Sequence, residues 1–221
     1  MSIFSLLRSG ETSLLIIMVL SRMFVVLCCM PVHEMAHAYA AYKCGDDTAK
    51  LKGRLTINPF AHLDLIGTLM ILFFGIGYAN PVPVNPARLK HPKKNMALIS
   101  FAGPLANIIM SFIFIFLTYF LMFIAPTNNV IYMVASFFSY AAQVNVTLAV
   151  FNLIPIPPLD GSKILTAVLP DKIYFSLMRY ERYIMIGLFV LLFLGVLNGP
   201  ISWLSDILLN IISFIPSLIF G

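Results

Sequence analysis

Long apolar runs alternate with short polar loops along this chain. Ser13 to Cys44 reads as one mostly apolar helix, with Arg22 the only charge in its first half. Asn95 to Ile124 is long enough to span a bilayer with tilt, and Val130 to Phe151 is long enough to span back. Between them Pro126-Thr127-Asn128-Asn129 is a tight uncharged turn, as expected outside the membrane. Tyr183 to Leu197 predicts a shorter span, and Asn198-Gly199-Pro200 predicts a turn. Ile201 to Phe220 reads either as a last span or as an interfacial helix, because Trp203 and Asp206 suit an interface.

The stretch between the first two long runs is different. Leu63 to Tyr78 is apolar but short, and it leads into Ala79-Asn80-Pro81-Val82-Pro83-Val84-Asn85-Pro86. Prolines so closely spaced cannot be helix interior and favour an extended path. On either side lie basic loops, with Lys43, Lys50, Lys52 and Arg54 before and Arg88, Lys90, Lys93 and Lys94 after. Two basic loops belong on the same, cytoplasmic side. Residues 57–86 are too few for two full helical spans, so this segment is expected to enter the membrane and return as a helix plus an extended strand. Non-helical backbone at that depth is tolerated only against protein or a wet cavity.

Composition turns these runs into a solvent argument. Of 221 residues 60% are hydrophobic and 10% charged. The mean hydropathy is +0.95. A soluble domain of this length cannot hide so much apolar surface. The expected fold is therefore an all-α polytopic membrane protein of about five to six transmembrane helices, with a re-entrant, β-like segment between the first and second long spans. No repeat or appended soluble domain is visible. Residues 1–221 read as one membrane-embedded domain, with a core at about 13–165 and C-terminal helices at 180–221. Cys28, Cys29 and Cys44 make no disulfide framework. The net charge of +5 sits in short loops, including a third one at 160–182 with Lys163, Lys172, Arg179 and Arg182. That fits membrane topology and gives no sign of a nucleic-acid partner. The N-terminal run continues past any plausible signal-peptide core.

The chemistry concentrates near one end of the first span. His33-Glu34-Met35-Ala36-His37 matches H-E-x-x-H, and on a helix residues i and i+4 share a face, so both imidazoles can reach one cation. Glu34 is rotated by about 100°, close enough to hold a water bound to that cation. Zinc suits such a site, being imidazole-tolerant and able to acidify bound water. Counting from Leu14 at about 1.5 Å per residue places His33 roughly 28 Å along, at the far edge of a hydrocarbon slab about 30 Å thick. Pro31 lacks an N–H and is expected to loosen the helix just before the cluster. The bland alternative is polar residues satisfied at a helix–helix contact; without a partner, two histidines and a glutamate inside such a helix are costly in lipid.

A hydrolytic zinc site needs a third protein ligand. Asp46 and Asp47 follow the motif in a loop where solvation explains them. His62 and Asp64 lie together in Asn58-Pro59-Phe60-Ala61-His62-Leu63-Asp64. Asp160 is the best candidate: the topology brings Asn152-Leu153-Ile154-Pro155-Ile156-Pro157-Pro158-Leu159-Asp160-Gly161 to the membrane edge where the histidines fall. Asn152 reads either as a helix cap or as a donor to a polarised carbonyl oxygen. Gly103, Pro104 and Asn107 read as packing residues that let helices approach closely.

His33–His37, Phe101-Ala102-Gly103-Pro104-Leu105-Ala106-Asn107 and the Asn152-to-Gly161 segment, in this order, resemble the site-2 protease family of intramembrane zinc metalloproteases. Gly53-Arg54-Leu55-Thr56-Ile57-Asn58-Pro59 and Pro81-Val82-Pro83-Val84-Asn85-Pro86 extend the resemblance to the short prokaryotic branch that lacks PDZ and CBS domains. The resemblance implies one Zn2+ bound by His33, His37 and Asp160, with Glu34 as general base and acid and Asn152 at the catalytic centre. It implies that Gly75-Ile76-Gly77 and the following Asn80, Pro81 and Val82 receive the substrate as a strand. The implied partners are a transmembrane protein or peptide substrate and the lipid bilayer. The implied location is a cell membrane, with the active site near the cytoplasmic side. Two other classes are weighed: a catalytically inactive membrane adaptor of the same fold, against which the intact Glu34 speaks, and a transporter or channel, against which the lack of repeats speaks.

Overall fold

The computed structural model describes residues 10–170 and 179–220, so Lys172 of the third basic loop and the terminal Gly221 lie outside the described residues. Four helices are long and apolar enough to cross a membrane: α1 (Thr12–Lys43), α3 (Pro92–Ile124), α4 (Asn129–Asn152) and α6 (Asn198–Phe220). Two shorter ones are α2 (Leu65–Phe74) and α5 (Glu181–Phe193). The predicted shorter span is α5, which ends at Phe193. The predicted turn moves as well: residues 194–197 form it, around Gly195 at φ +75°. Asn198, Gly199 and Pro200 are the first residues of α6, a position where a missing proline N–H costs nothing.

Pro31 acts as expected, through a specific device. Val25–Cys29 form a π turn inside α1, and the Met30 N–H reaches back to the Val25 carbonyl. The wider turn absorbs the break that proline imposes, and it rotates everything downstream relative to an uninterrupted helix. Asn128 caps α4, its side-chain oxygen accepting from the N–H groups of Val130 (2.9 Å) and Ile131 (3.2 Å).

α3 and α4 form an antiparallel pair, and α1 packs across both. Polar side chains tie the three together in the way membrane helices use them. The Ser111 hydroxyl donates to the Ala142 carbonyl at 2.9 Å, and the Ser21 hydroxyl donates to the Phe137 carbonyl at 2.9 Å. Val25, Val26, Ala141, Val144 and Leu148 fill the seam between α1 and α4. The outer faces are apolar too. Phe123, Ile113, Phe214 and Leu218 are all exposed, which is stable only against lipid.

The segment between α1 and α3 departs from the bundle. α2 has ten residues, about 15 Å, half a hydrocarbon slab. Asp64 starts it, its carboxylate accepting from the Gly67 N–H at 2.9 Å. Gly75 stops it in the left-handed region at φ +77°. Arg22 of α1 donates through Nη1 to the carbonyls of Leu72 (2.7 Å) and Phe73 (2.9 Å), the orphan acceptors at that helix end. From Ile76 to Asn85 the chain runs back without helix. Among the described residues there is no β-strand, so the expected strand is present only as an unpaired stretch.

Candidate metal centre

His33 and His37 lie one turn apart on α1, beyond the π turn, and both are buried. Their Nε2 atoms are 3.1 Å apart. Asp160 arrives from a short helical turn, Asp160–Ile164, after the proline-rich segment that follows α4. Its Oδ2 lies 3.5 Å from His33 Nε2 and 3.1 Å from His37 Nε2. One ligand atom from each of the three falls within 4.8 Å of the others, and no other such group occurs among the described residues. Two imidazoles and a carboxylate converging on one point fit a single divalent cation with one position left open.

The surroundings fix this arrangement. His37 Nδ1 is 2.7 Å from the Ile99 carbonyl of α3, which sets the tautomer and turns Nε2 toward the centre. Burial works against ionisation of Asp160, but the imidazoles of His37 and His33 outweigh it and hold the carboxyl well below the usual carboxylate range. Gly161 lies against the Leu153 and Ile154 carbonyls, where a Cβ would stand 2.2 and 2.5 Å away. Gly103 faces the imidazoles and leaves them room.

A cavity of about 420 Å³ opens onto the centre, lined by His33, Glu34, His37, Asn152 and Asp160 together with Pro81, Val82 and Val84. The structure therefore brings most of the expected site residues into one space. Gly75, Gly77 and Asn80 are outside it. Gly75 borders a second cavity beside Arg22. Gly77 lies against Gly67, whose carbonyl oxygen would be 2.2 Å from an added Cβ. Asn80 is held by its backbone, donating to the His62 carbonyl at 2.7 Å and accepting from Arg54 Nη2. The other third-ligand candidates are engaged elsewhere. His62 Nε2 meets the Thr56 carbonyl at 2.8 Å, and Asp64 caps α2.

Asp46 is a correction to the solvated reading of its loop. It is fully buried, and its Oδ2 accepts from the Asn85 N–H at 2.6 Å while Oδ1 accepts from the Thr48 N–H at 3.0 Å and from the Thr48 hydroxyl. Its neighbour Asp47 pairs with Arg88. The stretch Asn80–Asn85 is thus tethered at one end by His62 and Arg54 and at the other by Asp46. The visible signal was the run of polar residues on both sides of the prolines; their pairing was not. Tyr78, Ser100 and, from α5, Met185 and Leu188 also line the cavity without any motif to mark them.

With this geometry in hand, the relatives are informative. A family model described as Peptidase family M50 matches residues 21–135 and 122–195. The candidate zinc metalloprotease YwhC of Bacillus subtilis is 42% identical over 177 residues, covering 78% of this chain and 79% of that protein. The candidate zinc metalloprotease Rip2 of Mycobacterium tuberculosis is 28% identical over 206 residues, covering 86% of this chain and 74% of that protein. A third relative, the candidate zinc metalloprotease MJ0611 of Methanocaldococcus jannaschii, is 32% identical over 101 residues, covering 46% of this chain and 49% of its own. No solved structure matches the chain. The motif order on α1, α3 and the end of α4 and the match across most of the chain agree: this protein belongs to peptidase family M50.

Proposed function

We propose that this protein is an integral membrane zinc metalloendopeptidase that hydrolyses peptide bonds within or next to the transmembrane segments of other membrane proteins. The observation that carries the reading is the convergence of His33, His37 and Asp160 on one point of a cavity that also contains Glu34. The relatives' names support zinc as the ion. α2 and the extended stretch after it are read as a re-entrant hairpin, since both flanking loops are basic and α2 crosses only half a slab. The basic character of the same loops supports a cavity near the cytoplasmic side.

The donor set fits the ion. Zinc held by His33, His37 and Asp160 supplies polarisation of the scissile carbonyl and a lowered pKa for water. The chain's own groups do the rest. Glu34, buried in the cavity and free of any ion pair among the described residues, accepts the proton of the attacking water and returns it to the leaving amine nitrogen. Asn152 offers a side-chain amide to the developing oxyanion. A membrane helix hides its peptide bonds in its own ladder, so cutting requires a locally unwound segment. Among the described residues nothing bonds to the N–H groups of Val82 and Val84. Those donors suit pairing with an unwound substrate strand, which keeps its backbone satisfied away from water.

The test is Glu34→Gln in purified, zinc-loaded protein. It is expected to keep the fold and the metal and to lose cleavage of a model transmembrane substrate. Cleavage at the wild-type rate would show that Glu34 is not the base.

A further inference from the structure

Arg22 is the unusual residue of the membrane interior. It is 6% exposed, and among the described residues no carboxylate pairs with it. Its Nη1 is committed to the Leu72 and Phe73 carbonyls. Its Nε is buried with no partner. Its Nη2 lies beside Gly75, 3.3 Å from where a Cβ would stand. The guanidinium thus keeps Nε and Nη2 without a hydrogen-bond partner among the described residues, and carbonyl dipoles rather than a carboxylate answer its charge in a low-dielectric setting, where a charge calls for a partner.

Arg22 borders a cavity of about 920 Å³, lined also by Gly75, Gln143, Thr147, Phe189 and Asn198. Phe189 also borders the metal-centre cavity, so the two spaces adjoin. Arg22 precedes His33 by eleven residues on α1, roughly 16 Å. Gln143 precedes Asn152 by nine on α4, roughly 14 Å. A guanidinium and a carboxamide therefore stand at a common depth, well inside the membrane from the metal centre, in an otherwise largely apolar chamber.

We propose that this chamber receives the membrane-spanning segment of the substrate, and that Arg22 selects segments carrying an acidic side chain at its depth. This rests on the proteolytic reading of the adjoining site. A carboxylate there is attracted by the guanidinium charge and accepts from Nη2, the donor left without a bond, with the Gln143 amide as a further donor. A leucine leaves Nη2 unpaired, and a lysine is repelled. The selected residue lies about five positions from the scissile bond if the intervening chain is extended and about eleven if it is helical.

The experiment uses the full-length, zinc-loaded Glu34→Gln protein in lipid nanodiscs and a set of fluorescent synthetic spanning peptides. The peptides differ only in one residue, Glu, Leu or Lys, moved stepwise along the span. Binding is read by anisotropy. The expected result is one register at which Glu binds about tenfold tighter than Leu and Lys binds more weakly than either. Adding Arg22→Gln should erase the preference for Glu. Equal binding of Glu and Leu peptides at every register overturns the proposal, as does a preference that survives Arg22→Gln. If that variant fails to fold, the scan against the unaltered Arg22 decides alone. Wild-type protein that leaves every peptide intact while its Glu34→Gln form keeps the acid preference would defeat the hydrolytic reading and leave this one standing.

Discussion

Gly103 of α3 lies directly against His37 of α1: a Cβ on Gly103 would stand 2.2 Å from His37 Nε2 and 2.6 Å from His33 Nε2. The expected packing residue is thus also the floor of the metal centre. Gly103→Ala must push both imidazoles aside, since the Met30–Lys43 half of α1 packs closely on α3 there. Metal affinity should fall by about 10–100-fold, as it does when a ligand's support is disturbed. Competition with a zinc-chelating dye measures it, and wild-type affinity would show that the histidines have room to spare.

Removing the metal should abolish proteolysis, and adding zinc back should restore it. Asp160→Ala should lose stoichiometric zinc, because two imidazoles alone leave the ion underligated. Elemental analysis of the purified protein checks this. Retained stoichiometric zinc would show that Asp160 is not a required ligand.

Asp46 links the loop after α1 to the proline-rich stretch, so its charge is expected to matter for stability. Burial disfavours its ionised form, but the Thr48 hydroxyl and the backbone N–H groups of Asn85 and Thr48 outweigh burial and lower its pKa. A carboxylate whose pKa is depressed by folding stabilises the fold above its unfolded value of about 3.9. That stabilisation is lost as pH falls from there through the lower folded value. Asp46→Asn should cost about 1–3 kcal/mol at neutral pH, from an acceptor lost beside buried donors. The gap to wild type in thermal unfolding should close below about pH 4. A gap independent of pH would mean that shape, not charge, holds Asn85.

Gly67 of α2 touches the returning chain. A Cβ there would stand 1.9 Å from the Tyr78 carbonyl oxygen, a backbone atom with nowhere to go. Gly67→Ala should therefore lift the Ile76–Asn85 stretch from α2 and cost about 1–3 kcal/mol of stability. Zinc content should stay normal while substrate KM rises, which separates this variant from Gly103→Ala. Unchanged KM would detach the stretch from substrate binding.

Much of this protein was legible in the residue order because lipid imposes simple rules. An apolar run of the right length reports a crossing, and i, i+4 histidines on such a run report a shared ligand face whatever the rest of the chain does. His33, Glu34 and His37 were fixed in that local way. Asp160 was reached by topology, since charge bias and span lengths bring it to the same membrane edge. What residue order could not supply was contact across elements. Asp46 looks like any loop carboxylate until Asn85 is folded onto it. Arg22 looks like a stray charge until the end of α2 is placed beside it. Gly75, Gly77 and Asn80 look like one stretch with Pro81 and Val82, and nothing in their order shows that the fold also makes them a helix stop, a close backbone contact and a tether. Periodicity and charge act along the chain and survive in one dimension. Close packing and the pairing of buried polar groups depend on which segments meet, and only the tertiary structure decided that.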